Sequence, residues 1–154
     1  MSLQTIYLDY AAATPLDERV FAVMEPHLRQ YFANPSSLYR IGHDARAVLE
    51  EARRQLAMSI GARAGEIILT AGATESINLA IAGARGHYGG TVVTARIEHP
   101  AVITAADRGI ARYTQLDPRG YITPQAVEDA IDQDTTLVSI ALVNNELGTV
   151  QPLR

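Results

Sequence analysis

The segment Glu66–Ala82, EIILTAGATESINLAIA, constrains the fold more than any other part of the chain. Ile67, Ile68 and Leu69 form a short apolar run suited to a parallel strand covered on both faces. Gly72 permits a sharp turn and a close backbone approach to a ligand. Thr74 suits an N-cap, and Glu75 puts a favourable charge in the first turn of the helix that follows. The amides at such a helix start form an anion site well suited to phosphate. The same residues also fit an ordinary strand-to-helix turn, because short glycine motifs recur by chance.

Strand-like and helix-like segments alternate along the rest of the chain, the pattern of an α/β domain with a mostly parallel sheet and flanking helices. Helices are expected over 17–32, with Pro26 kinking or dividing the first, and over 43–60. In the second, Val48, Leu49, Ala52 and Leu56 mark an apolar face, and Glu50 and Arg54 are spaced to pair. Further helices are expected over 75–84, 100–110 and 124–131. Strands are expected over 91–95, 112–116 and 136–143, with a turn over 117–120. The pattern leads one to expect another helix after Arg154.

A length of 154 residues suits one domain. A net charge of −4 and the lack of a basic cluster argue against a nucleic-acid surface. No apolar run approaches the roughly 18 residues of a membrane span. The start, MSLQTIYLDY, has no basic region followed by a long apolar core, so a cytoplasmic location is the default expectation. All thirteen basic residues are arginine; the sequence has no lysine and no cysteine.

Thr74, His99 and Asn145 each follow an expected strand. In a parallel sheet, the loops at the carboxyl ends of the strands converge on one edge, where ligands bind. Thr74 and the Ala73 amide form a candidate phosphate cup; helix capping is the other role open to Thr74. The imidazole of His99 can stack on an aromatic ring and move protons near neutral pH, though a lone histidine also serves as a cap or surface residue. Asn145 can donate to an aromatic oxygen or simply begin a turn. His27, His43 and His87 lack such a context and lack metal-ligand spacing, so no metal is expected.

Five segments taken together resemble the cysteine desulfurases of the class V aminotransferase family. They are YLDYAAATP (Tyr7–Pro15), ANPSS (Ala33–Ser37), the glycine-turn segment, RIEHPA (Arg96–Ala101) and VNNELGTVQP (Val143–Pro152). Their order and similar spacing span essentially the whole chain. The resemblance implies part of the large domain of a fold type I pyridoxal phosphate (PLP) enzyme, with residues 1–15 as an N-terminal arm and 16–154 as the N-terminal portion of the cofactor-binding domain. It assigns the PLP phosphate to Thr74, ring stacking and acid–base assistance to His99, the phenolic oxygen to Asn145, and the neighbourhood of the substrate carboxylate to Asn34. Glu146 and Gln151 are expected to hold their loop in shape. Ala13 stands where many members have threonine, and Tyr39 where histidine is common.

The family holds PLP as a Schiff base on a lysine and passes sulfur from cysteine to a thiolate, leaving alanine. Neither group is available here, and arginine is not a useful amine nucleophile. The resemblance places the lysine, the cysteine, the aspartate partner of the pyridine nitrogen and the arginine that clamps substrate beyond the point matching Arg154. The same holds for the strands that fill gaps in the sheet. The expectation is a polypeptide inactive alone, completed by a complementary C-terminal polypeptide or by self-association. The other possibilities are a truncated relative serving as a non-catalytic binding or scaffold protein, and part of another class V enzyme such as a selenocysteine lyase.

Overall fold

Asp17 opens the first helix as its N-cap, its carboxylate accepting from the Arg19 amide at 2.8 Å. The computed structural model describes residues 5–153. The four N-terminal residues of the expected arm, and Arg154, lie outside the described residues. Two units form, Met1–Leu69 and Thr70–Arg154.

In the first unit, the Tyr7 hydroxyl donates to the carbonyls of Asp9 and Ala13, closing a turn within the opening motif. Helix α1 spans Glu18–Arg29 and α2 spans Arg40–Ser59. Pro26 does not divide α1: it removes one donor, but Gln30 N still bonds Pro26 O at 2.8 Å. No residue of α1 is buried, although its apolar residues recur at helical spacing. Gly42 of α2 is required by contact, since a Cβ there would meet Ser37 O at 2.6 Å and Asn34 O at 3.0 Å. The ANPSS loop thus lies against the start of α2.

Two expectations for this unit are corrected. Glu50 pairs with Arg53 and Glu51 with Arg54, both i,i+3, in place of Glu50 with Arg54. Arg53 is drawn inward because its Nη1 also donates to Ile67 O at 2.6 Å. The run Ile67–Leu69 is not a strand. Ile67 has extended torsions, but its carbonyl goes to Arg53, no described segment pairs with the run, and Ile68 is 69% exposed. An apolar run states a preference for burial; a strand also needs a ladder partner.

The second unit contains α3 (Ala73–Tyr88), β1 (Thr91–Thr94), α4 (Pro100–Asp107), β2 (Ala111–Tyr113), α5 (Pro124–Ala130) and β3 (Thr135–Val138). The strands form a parallel sheet in the order β2-β1-β3, with Val93 opposite Arg112 on one side and Val138 on the other. Central β1 is buried throughout, as a strand paired on both edges and covered by helices should be. Ile81 of α3, Val92 of β1 and Val102, Ala105 and Ala106 of α4 make the core, with Ile77, Ala111 and Leu137 packed against them. Gly90, at φ +76°, makes the tight entry into β1; a side chain there would strike the Asp134 carbonyl, which accepts from Thr91 N.

β3 is shorter than the expected 136–143 strand. Ser139 N still reaches Val93 O at 2.8 Å, but the Ala141 amide is taken by the Glu98 carboxylate. Beyond Ser139 this backbone leaves β1: the Glu98 side chain takes the Ala141 amide, and Leu142 O accepts from Gln151 N at 2.7 Å, next to an antiparallel bridge between Val143 and Val150.

Candidate functional site

Two loops at the carboxyl ends of β1 and β3, and the turn that opens α3, carry the site in the second unit. The first is the start of α3. Its N-cap is Gly72, not Thr74, and Thr74 is the second helical residue. Thr70 and Ser76 share a hydroxyl–hydroxyl bond of 2.6 Å, and the Glu75 carboxylate accepts from Ala71 N at 2.7 Å. These side-chain bonds fix the turn two residues earlier than the threonine alone would place it. The first helical bond closed over the turn is Ser76 N to Gly72 O. The amides of Ala73, Thr74 and Glu75 precede it, so they have no helical acceptor and point out of the helix end. With the Thr74 hydroxyl, this donor set fits a phosphate group.

The second loop joins β1 to α4 and presents His99, the N-cap of α4. Its Nδ1 accepts from Ala101 N at 3.1 Å. The ring proton therefore sits on Nε2, which leaves that nitrogen as the donor toward the cleft. Capping and a ligand role are compatible here, since they use opposite ring nitrogens.

The third loop follows β3. Asn144 is buried and Asn145 exposed. Asn144 Oδ1 accepts from the amides of Glu146 and Leu147 at 2.9 and 2.7 Å, and its Nδ2 donates to Ile97 O at 2.6 Å. Gln151 is 3% exposed; its Oε1 accepts from Ile122 N at 2.8 Å and its Nε2 donates to Gly120 O at 2.9 Å. Gln151 thus holds the loop as expected. The turn itself is held by the Asn144 side chain; Glu146 contributes its backbone amide, and its side chain is exposed.

His99 lines two clefts. One, about 760 Å³, is shared with Ala73, Thr74, Asn78 and Arg108. The other, about 350 Å³, is shared with Arg96, Glu98, Asn144 and Asn145. The imidazole therefore stands between the free amides of α3 and the Asn144–Asn145 turn. Ala73 and Thr74 line the first cleft, Asn145 the second, and His99 both. Asn34 lies in the first unit, where its Oδ1 accepts from Ser36 N at 2.8 Å.

Several residues of this region are not signalled by their own sequence context. Arg108 donates to Asn78 Oδ1 at 3.1 Å, and Asn78 donates to Thr74 O at 2.8 Å. This chain puts a guanidinium on the wall of the α3 cleft. Glu98 is 8% exposed, and burial pushes its carboxyl above the ordinary glutamate range while the Ala141 amide opposes the shift. The tandem Asn144-Asn145 was the available signal for an Asx turn. For Arg108 no local pattern exists, because its partner is 30 residues away.

Comparison with known proteins gives a consistent result. The family model described as aminotransferase class V matches residues 6–154. The chain is 41% identical to a protein named cysteine desulfurase IscS from Dictyoglomus turgidum, covering 97% of this chain and 40% of that protein. It is 43% identical to a putative cysteine desulfurase IscS 1 from Bacillus subtilis, covering 98% and 42%. Among solved structures, a NifS-like protein superposes with a TM-score of 0.91 at 34% identity, covering 97% of this chain and 43% of that one. A structure titled SspA in complex with cysteine gives a TM-score of 0.87 at 40% identity, covering 96% and 45%. The chain therefore spans less than half the length of these relatives. Among the described residues, no helix is long and apolar enough to cross a membrane, and no cluster of side chains could hold a metal ion.

Proposed function

Because this chain belongs to the aminotransferase class V family, whose members depend on pyridoxal phosphate, we propose that it forms the N-terminal part of a cysteine desulfurase site. The reaction is conversion of L-cysteine to L-alanine with transfer of sulfur to a protein thiol. The observation that carries the proposal is the place of His99 on both clefts, between the α3 amides and Asn145.

The amides of Ala73, Thr74 and Glu75 and the Thr74 hydroxyl would hold the cofactor phosphate, with the positive end of α3 behind them. His99 would lie on the ring and offer its Nε2 proton. Asn145 would donate to the phenolic oxygen, and Asn34 would receive the substrate carboxylate. Bound PLP supplies an electron sink for substrate carbanion chemistry. The sequence holds no lysine to anchor it and no cysteine to accept sulfur, so further polypeptide must bring both.

Unsatisfied surface in the structure supports that dependence. The apolar side chains Val23 and Leu28 of α1 are 67% and 65% exposed, and the free edges of β2 and β3 have no strand beside them among the described residues. A complementary C-terminal polypeptide, joined or separate, would cover these surfaces. The cytoplasm is the compartment that suits such an enzyme part. The exposed apolar side chains also favour a second reading, a non-catalytic scaffold that keeps the partner surface of the fold.

Mixing the chain with the remaining portion of a relative, bearing lysine and cysteine, separates these readings. The enzyme reading requires association and alanine production that neither part shows alone. Association with no alanine at saturating PLP supports the scaffold; no association at high concentration of both parts defeats the two together.

A further inference from the structure

We propose that Glu98 and Asn144 form a reciprocal clamp that sets the gap between His99 and Asn145, making both clamp residues positioning residues of the site. This rests on the assignment of His99 and Asn145 as cofactor contacts. Each clamp residue immediately precedes one of them. On both loops the clamp residue is buried, at 8% and 6% exposure, and the residue after it is exposed.

The clamp is needed because the sheet does not reach this far. β1 ends at Thr94 and β3 at Val138, and the last backbone bond between their chains is Ser139 N to Val93 O. Beyond it the two loops leave the ladder. Glu98 then crosses from the first loop to the second, its Oε1 accepting from Ala141 N at 2.7 Å. Asn144 crosses in the opposite direction, its Nδ2 donating to Ile97 O at 2.6 Å. Its Oδ1 simultaneously shapes the turn that presents Asn145. Four backbone groups on two loops are thus fixed by two buried side chains. Loss of either bond leaves a half-buried backbone group without its partner and frees one loop relative to the other.

The test uses the full chain with ¹⁵N-labelled histidine and asparagine. Each clamp residue is truncated and the effect is read on the opposite loop. Glu98→Ala should shift the Asn145 side-chain amide resonances, and Asn144→Ala should shift the His99 ring nitrogens. Each should weaken PLP binding roughly tenfold, as expected for loss of one buried hydrogen bond. Glu98→Gln keeps the Oε1 acceptor and should restore both the Asn145 resonances and the affinity. A role confined to general stability would move the urea midpoint without these cross-loop shifts. If Glu98→Ala does not fold, Asn144→Ala read at His99 decides the question. Resonance changes confined to the substituted loop, or Glu98→Gln behaving like Glu98→Ala, overturn the clamp. Absence of PLP binding by the unsubstituted chain counts against the proposed function, while the cross-loop resonances still decide the clamp.

Discussion

Replacing Gln151 by alanine should destabilise the chain by about 2–4 kcal/mol, a magnitude built from its two bonds. The Ile122 amide, in a residue 3% exposed, loses its acceptor at 2.8 Å. An orphaned buried donor costs about 1–3 kcal/mol. The Gly120 carbonyl loses a donor at 2.9 Å but is half-buried, so water recovers part of that bond. One methylene, Cγ, leaves the interior, adding roughly 0.8 kcal/mol if it is fully buried. Urea unfolding followed by circular dichroism measures the total, and tyrosine emission can report alongside because the chain has no tryptophan. Gln151→Glu sharpens the test. An ionised carboxylate keeps an acceptor for Ile122 N but turns the donor facing Gly120 O into a second acceptor. Acidification restores a donor, so the deficit of Gln151→Glu should shrink as pH falls. A Gln151→Ala change within about 0.5 kcal/mol of the parent would refute the bonding scheme, because that is the range of an unimportant surface substitution.

Gly90→Ala should destabilise by roughly 2–4 kcal/mol in the same assay, since it combines a left-handed backbone with a collision at the Asp134 carbonyl; a neutral result would refute the close approach. Glu98→Gln should change the pH dependence of stability. The folded Glu98 keeps its proton to a higher pH than the unfolded chain, whose value is near 4.5. Its contribution is therefore full below 4.5 and is lost as pH rises to the folded value. Relative to the parent, Glu98→Gln should gain stability across that window and then level off; a difference independent of pH refutes the burial effect. Thr74→Ala should weaken inorganic phosphate binding severalfold while leaving α3 helical, because Gly72 rather than Thr74 is the cap. Loss of α3 in that variant, seen by circular dichroism, would return the capping role to Thr74.

The glycine-turn segment showed in sequence that a helix follows Gly72, and α3 begins there. Where it begins was less legible. Thr74 has the chemistry of an N-cap, but Glu75, Thr70 and Ser76 tie the turn down first, and competing local bonds of that kind are hard to rank from sequence. Central β1 was legible because its apolarity matches its burial on both faces. The Ile67–Leu69 run is more apolar than β1 yet has no partner, so apolarity alone does not separate a strand from an unpaired run. The end of β3 was hidden for a different reason: a side chain 43 residues away takes its next amide. His99 and Asn145 could be grouped from strand ends alone, because parallel topology forces those loops to one edge. Glu98, Asn144 and Arg108 act through partners distant in sequence, brought together only by the fold.

On the proposed function, the start of α3, His99 and Asn145 make one cradle for a phosphate-bearing pyridine ring. Amide and side-chain NMR during titration with pyridoxal phosphate, and separately with pyridoxal lacking the phosphate, tests it most directly. Shifts are expected at the Ala73–Glu75 amides, the His99 ring and the Asn145 side chain with the phosphorylated compound, and the Ala73–Glu75 shifts should be lost without the phosphate. Shifts located elsewhere, or an identical response to both compounds, would contradict it.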